Sequence, residues 1–315
     1  MAVTLADAKL LTQDKLTQDV IDEFRKDNLM DLLIYDNCVA MNGGSTLAYT
    51  YNRVQTQGTA AFRKINAEYT PQEAKTKQYT TNLKVFGGSF GIDRVIQKHV
   101  KGVTNQLAFQ MQQKIKGAQA LFSDTFFNGS VAQNEDVFDG LDVALTGSST
   151  EVNPEAVIDL SSATAIDSNY KAFLDAVEDM LAELDGTPTF LAMNRKMRSA
   201  FNKVGRRTVS FTETRDEFGK PVQYYDGIQL ITIGDKPNSS DSIIANGENG
   251  TSLYAVRVGL DGVCAVTPEG DSIIDVYMPD FNTPGAVKQG EVEMVAGMAV
   301  KATKAAGVLR KIKVA

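Results

Sequence analysis

Two stretches alternate apolar with polar residues and read as strands: STLAYTYNRV at 45–54 and KQYTTNLKVFGGSF at 77–90. Between them lies QTQGTAAFRKINAEYTPQEAKT, which is polar and carries Gly58 and Pro71. Neighbouring strands in a compact domain are joined by far shorter loops, so a connection of about 20 residues predicts a long hairpin arm projecting from the body. Phe62, Ile65 and Tyr69 near its tip have no way to bury themselves there and need a partner surface.

The next segment predicts a spine for that body. From Asp93 to Phe127, apolar residues fall at Ile96, Val100, Val103, Leu107, Met111, Ile115, Ala118, Phe122 and Phe126. Steps of three and four make a helix with one buried stripe, reaching about 50 Å. Asp93 suits its N-cap, and Gly102 and Gly117 weaken it or mark close packing. The stretch FNGSVAQNEDVFDGL, 127–141, ends it. Asn128 and Gly129 suit a left-handed C-cap, and Asp139-Gly140 suits a tight turn. A calcium loop needs acids or amides at alternate positions and a glycine at the sixth; this stretch has neither, so a structural corner is the better reading.

Residues 1–36 read as helical, with Leu10, Leu11, Leu16, Val20, Ile21, Phe24, Leu29, Leu32 and Leu33 on one face, as in an arm lying on a body. Residues 146–168 read as an irregular connection into a second lobe with an α/β rhythm. There, Phe173 to Leu184 make a helix stopped by Gly186, and TFLAM at 189–193 a buried strand. Asn194 caps a helix carrying Met197, Phe201 and Val204, which Gly205 ends. YYDGIQLITIGD, SLYAVRVG, GVCAV and the C-terminal VEMVAGMAVKATKAAGVLRKIKV read as strands.

A chain of 315 residues holds one large domain or two smaller ones. Its net charge of −7 argues against a protein that grips nucleic acid through phosphate contacts. Cys38 and Cys264 form no CxxC and read as small reduced core residues. The N-terminus lacks a secretory pattern and no apolar run reaches about 18 residues, so a cytoplasmic site of folding is expected. His99 is the single histidine, and no GxSxG, HExxH, GxxxxGK[ST] or strand-borne GxGxxG accompanies it. No catalytic residue, metal site or cofactor is expected. The richest basic cluster is Arg195, Lys196, Arg198, Lys203, Arg206 and Arg207. It reads either as a subunit contact toward acids such as Glu178, Asp179 and Glu183 of a neighbour, or as a solvated helix face.

Arm, hairpin, spine helix and α/β lobe, in this order, resemble the major capsid protein of tailed bacteriophages, the fold named after phage Hong Kong ninety-seven. The resemblance covers nearly the whole chain. It rests on FNG-SVAQNEDV-FDGL after the spine helix, on YYDGIQLITIGD, and on the closing MAVKATKAAGVLRKIKV. It implies an α+β fold with an N-terminal arm at 1–45 and an extended β-hairpin loop at 46–90. A peripheral domain would comprise 91–145 with 281–315, and an axial domain 146–280. It further implies a non-enzymatic subunit of hexamers and pentamers, building an icosahedral shell around phage DNA without sequence-specific binding. The implied location is the virion, after assembly in the host bacterial cytoplasm. Implied partners are further copies of itself, a separate scaffolding protein, a portal and a decoration protein. The implied inter-subunit contacts are Arg53, Phe62, Arg63, Lys64, Ile65, Tyr69, Arg195, Arg198, Arg206 and Arg207. The implied hinges are Gly43, Gly44, Gly87, Gly88 and Gly91. Some relatives cross-link a loop lysine to a neighbour's asparagine; Lys64, Lys75 and Lys77 lie in the matching region, with no signature marking the bond. Competing readings are an encapsulin compartment shell, which shares the fold, an α/β hydrolase-like enzyme using Asp and Glu, and a DNA-binding protein.

Overall fold

The computed structural model describes residues 29–39, 47–99, 106–208, 211–215, 221–269 and 273–315. The helix expected over 1–28 and the glycines Gly43 and Gly44 lie outside them. The described residues open with a 3-10 turn, Leu29–Leu32, and strand β1, Tyr35–Val39. Then come β2 (Ala48–Thr56), β3 (Lys75–Asn82), β4 (Lys84–Asp93), α1 (Arg94–His99), α2 (Gln106–Asn128) and α3 (Leu141–Leu145). Next are β5 (Glu151–Val152), β6 (Ile158–Asp159), α4 (Ala163–Ala182), β7 (Phe190–Met193) and α5 (Arg195–Gly205). Strands β8 (Phe211–Arg215), β9 (Pro221–Tyr225), β10 (Ile228–Thr232), β11 (Thr251–Val256) and β12 (Val263–Pro268) follow. The last are β13 (Asp275–Tyr277), β14 (Val287–Val300) and β15 (Ala306–Lys313).

These strands form three sheets. One runs β1-β12-β14-β13, with β4 on the other side of β14. An eight-stranded sheet runs β5-β15-β11-β7-β10-β9-β8, with β6 also on β15. The third is the hairpin β2-β3.

Several expectations are corrected by pairing that no local pattern encodes. The helical reading up to residue 36 fails at Tyr35, because β1 adds in parallel to the edge of β12. The strand expected over 77–90 is two strands in different sheets, broken at buried Leu83, whose N–H donates to the Leu47 carbonyl. Residues 146–168 are less irregular than expected: β5 and β6 pair with β15, and Ser162 caps α4 by accepting from the Ala165 N–H. β15 lies in the eight-stranded sheet through β11, while β12 and β13 pair with β14. A short turn through Thr303–Ala305 carries the chain from one sheet to the other.

Other expectations fit. Asp93 Oδ1 accepts from the Val95 N–H at 2.7 Å at the start of α1. The spine is described as two helices, α1 and α2, with 100–105 between them outside the described residues. TFLAM supplies a fully buried strand, β7. Asn194 caps α5 from a buried position, accepting from Met197 N at 2.7 Å and donating to Ile244 O and Thr251 Oγ1. YYDGIQLITIGD, read as strand, is instead turned near its start: Asp226 and Gly227 both take positive φ (48° and 77°), the conformation a tight hairpin between β9 and β10 requires.

Aromatic packing joins the parts. Phe86 of β4, Phe122, Phe126 and Phe127 of α2, Phe138 of the corner and Tyr254 of β11 form a chain of ring contacts 5.2–6.2 Å apart. Phe122, Phe126 and Phe127 are wholly buried, each worth about 1.5–3 kcal/mol in apolar transfer. This core holds residues of both large sheets, including Val263 and Met298 of one and Val256 and Val308 of the other. A second core packs α4 and α5 on one face of the eight-stranded sheet.

The corner 127–141 closes differently from its expected left-handed cap. Gly129 has no positive φ; its N–H makes an ordinary helical bond to Thr125 O at 2.8 Å, and its carbonyl accepts from Gly140 N at 2.8 Å. Asp139 Oδ1 ties the loop by accepting from Val131 N. Glycine is demanded here by contact. A methyl on Gly140 would sit 2.6 Å from Thr125 O and 2.8 Å from Phe127 O, and one on Gly129 would run into the Phe138 and Thr125 carbonyls. Gly117, in the middle of α2, has nothing within 4 Å of its would-be methyl. Gly140→Ala is therefore expected to lower unfolding free energy by about 3 kcal/mol. Gly117→Ala should raise it by about 0.8 kcal/mol. Urea titration of the unassembled chain reads both, and equal effects of like sign would refute this account.

Candidate assembly surface

The hairpin arm has the predicted form. β2 and β3 pair antiparallel from Ala48↔Asn82 to Thr56↔Lys75, and residues 57–74 continue beyond them without regular strands. At the tip, Phe62 is 108% exposed, Ile65 90% and Tyr69 62%. The tip is shaped by its own contacts. Arg63 lies 5.5 Å from the Tyr69 ring centre, Asn66 takes φ 65°, Ala67 N donates to Lys64 O, and Thr59 hydrogen-bonds Gln72. A concavity bounded by Phe62, Arg63, Tyr69 and Gln72 results. The arm from 48 to 82 carries Arg53, Arg63, Lys64, Lys75 and Lys77 against Glu68 and Glu73, a basic projection on an acidic chain.

The base of the arm is fastened to the body on one face. Tyr49, Tyr51 and Tyr79 stack at 5.8 and 5.9 Å, and the Arg53 guanidinium lies 4.2 Å from the Tyr79 ring centre. Arg53 and Tyr51 both donate to Val300 O at the end of β14. Beside them Lys301 Nζ meets Asp36 Oδ2 of β1 at 2.6 Å, and the Tyr49 hydroxyl donates to the same oxygen at 2.9 Å. Burial opposes the charge of Lys301, but the bonds to Asp36 and Tyr49 outweigh it and raise its pKa above the usual lysine range. Burial pushes the Tyr49 phenol up to about 12. Buried Cys264 stands close by, its thiol pKa also raised by burial. Residue spacing gave no sign of this triad, because Asp36, Tyr49 and Lys301 come from three separate elements.

The structure does not bring the expected contact residues into one place. Arg53 serves the arm's base, while Phe62, Arg63, Lys64, Ile65 and Tyr69 sit at its tip. Arg195, Arg198, Arg206 and Arg207 lie on or just after α5, on the other lobe. Several have partners within the chain: Arg198 donates to Gln223 and Leu230 O, Arg207 pairs with Asp167, and Arg195 stands 3.9 Å from Asp235. Gly87, Gly88 and Gly91 lie inside β4, each paired with β14. A methyl on Gly87 would strike the Val292 carbonyl, so bending there would have to bend β14 as well. A second network was also illegible from spacing: Arg310 of β15 ties Asp142, Glu151 and Thr146, and Tyr254 donates to Asp142. It fastens the helix after the corner to the eight-stranded sheet. Among the described residues no cluster of His, Cys, Asp or Glu has a metal-holding arrangement, and no helix is long and apolar enough to cross a membrane.

No protein-family model matches the chain, and no curated protein matches it in sequence. Solved structures do match. The SrpI encapsulin complex of Synechococcus elongatus superposes with a TM-score of 0.66 at 17% identity, over 99% of this chain and 97% of that one. The capsid of an empty GTA particle gives 0.60 at 14% identity, over 98% of each chain. The capsid of Myoviridae phage XM1 gives 0.56 at 12% identity, over 96% and 97%. The chain has the tailed-phage capsid fold. What is held in common at such identities is the fold.

Asp36→Asn removes the anion from the base of the capsid fold's arm. It is expected to cost about 2 kcal/mol, the scale of a charged hydrogen bond, and to speed proteolysis within 57–74. Lys301 and Tyr49 both hold their protons more tightly when folded. Their contribution is thus complete below about pH 10, where the unfolded groups begin to titrate, and is lost as pH rises through the folded values. Unfolding free energy measured against pH should fall above about pH 10, and less steeply in Tyr49→Phe. Identical slopes would refute the coupling.

Proposed function

We propose that this chain is a major capsid protein, assembling into hexamers and pentamers that close an icosahedral shell around phage genomic DNA. The observation that carries this reading is the arm. A basic hairpin ends in Phe62, Ile65 and Tyr69 held in water, at a cost that only a second surface relieves. The likeness to capsid structures along nearly the entire chain supports the same conclusion. On this reading the role is structural, and its sites are contacts between copies: Arg53, Phe62, Arg63, Lys64, Ile65 and Tyr69 on the arm, and the α5 arginines on the lobe. Gly87, Gly88 and Gly91, with Gly43 and Gly44, are the positions at which one sequence adapts to five- and six-membered rings. A net charge of −7 suits a wall that confines DNA without gripping it. The proposed partners are other copies, a separate scaffold, a portal and a decoration protein; the proposed site of action is the virion, after assembly in the bacterial cytoplasm.

A second reading, a compartment shell of the encapsulin kind, is favoured by the 0.66 TM-score against SrpI. The two readings differ in contents. Particles isolated from the native source should protect double-stranded DNA from nuclease if the capsid reading is right, and hold a protein cargo in its place if the compartment reading is right.

The tip is testable directly. The triple variant Phe62→Ala, Ile65→Ala, Tyr69→Ala should unfold within about 0.5 kcal/mol of the parent, because Phe62 and Ile65 bury almost nothing and Tyr69 makes only an exposed contact with Arg63. By electron microscopy it should form no closed shells where the parent does. Shells at parental yield would sink the assembly role of the tip.

A further inference from the structure

The eight-stranded sheet carries two helices of opposite charge on one face. The run 163–185, helix α4 and the three residues after it, holds six acidic residues against the single Lys171. The run 195–207, helix α5 and the two residues after it, holds six basic residues and no acidic one. Asp175, Asp179, Lys196 and Arg206 are all exposed. Both helices bury their apolar stripes in the same core, Phe173 and Val177 from one and Phe201 and Val204 from the other. They lie toward opposite edges of the sheet. Helix α4 packs on β15, β5 and β6. Helix α5 reaches the other half, where Arg198 bonds Gln223 of β9 and the carbonyl of Leu230 of β10.

The lobe is therefore acidic along one margin and basic along the other. At the seam, the ion pair Arg207–Asp167 joins the two runs. Elsewhere the two helices meet through apolar side chains, Phe173 on Phe201 with ring centres 5.4 Å apart, and each margin keeps its charged residues on its exposed side. Single exposed ion pairs contribute little. A margin of like charges facing one of opposite charge acts instead on register and encounter, and penalises the reversed orientation.

We propose that the acidic α4 margin of one copy docks against the basic α5 margin of the next, a head-to-tail contact that propagates around a ring. This rests on the shell-forming reading above and names the surface by which the lobes recognise each other. The contact is heterologous, because each copy uses two different surfaces, as ring closure demands.

That asymmetry gives a parity test. The basic-margin variant Arg195→Glu, Lys196→Glu, Lys203→Glu, Arg206→Glu and the acidic-margin variant Asp175→Lys, Asp179→Lys, Glu183→Lys each reverse the net sign of their run, and each should melt like the parent yet lose rings and shells, since like charges then meet at every contact. All seven substitutions in one chain should recover assembly. An equal mixture of the two variants should close six-membered rings by alternation. It should fail to close five-membered ones, because an odd ring must place two like margins together. Negative-stain class averages, with circular dichroism to verify folding, read every arm. Either variant assembling at parental yield would overturn the proposal. So would failure of the folded sevenfold variant to recover, or five-membered rings forming freely in the mixture. If the parent forms no rings under any condition, the shell reading itself fails and this inference falls with it.

Discussion

The run of rings from Phe86 through Phe122, Phe126 and Phe127 to Tyr254 holds the molecule together. It is where the spine helix ends, where the corner turns back and where both large sheets meet. Phe138 enters the same cluster from the corner loop, so the turn is packed from inside as well as closed by its backbone. It is this shared core that joins the two sheets; the polar network of Arg310 with Asp142 and Glu151 ties only the helix after the corner to the eight-stranded sheet. A subunit that must keep one shape while its arm reaches elsewhere needs such a centre.

Features that depend on near neighbours in sequence were readable from it. The alternation of Tyr49, Tyr51 and Arg53 marked one face of a strand, and that face is the one turned to the body. Asn194 before a helical stripe and the long polar tip both carried local chemistry that the fold respects. Long-range pairing was not readable. Nothing near Tyr35 reveals that β12 offers an edge to it, so an apolar leucine run just upstream biased the reading toward helix. Nor does the final segment reveal that β14 and β15 part at Thr303 and enter different sheets. At the corner the residue type was read correctly and its reason was not: Gly129 and Gly140 are required because two backbone segments touch.

The polar fastenings at the arm's base illustrate the same limit from the side of energetics. Asp36, Tyr49 and Lys301 are unremarkable in sequence, and each gains meaning only when β1, β2 and the end of β14 converge. The arm is thereby held by groups from both ends of the chain. Its angle to the body depends on β1 being docked, which links the segment before the hairpin to the direction in which the hairpin points.

The hairpin also has a mechanical side. Its second strand passes through Leu83 directly into β4, which is bonded to β14 at every position from Lys84 to Asp93. A pull along the arm therefore loads that ladder lengthwise, and its rungs share the force in shear; peeling would break them one at a time. Tension carried from tip to body is spread across the longest pairing among the described strands, so the arm is built as a tie rod as much as a contact.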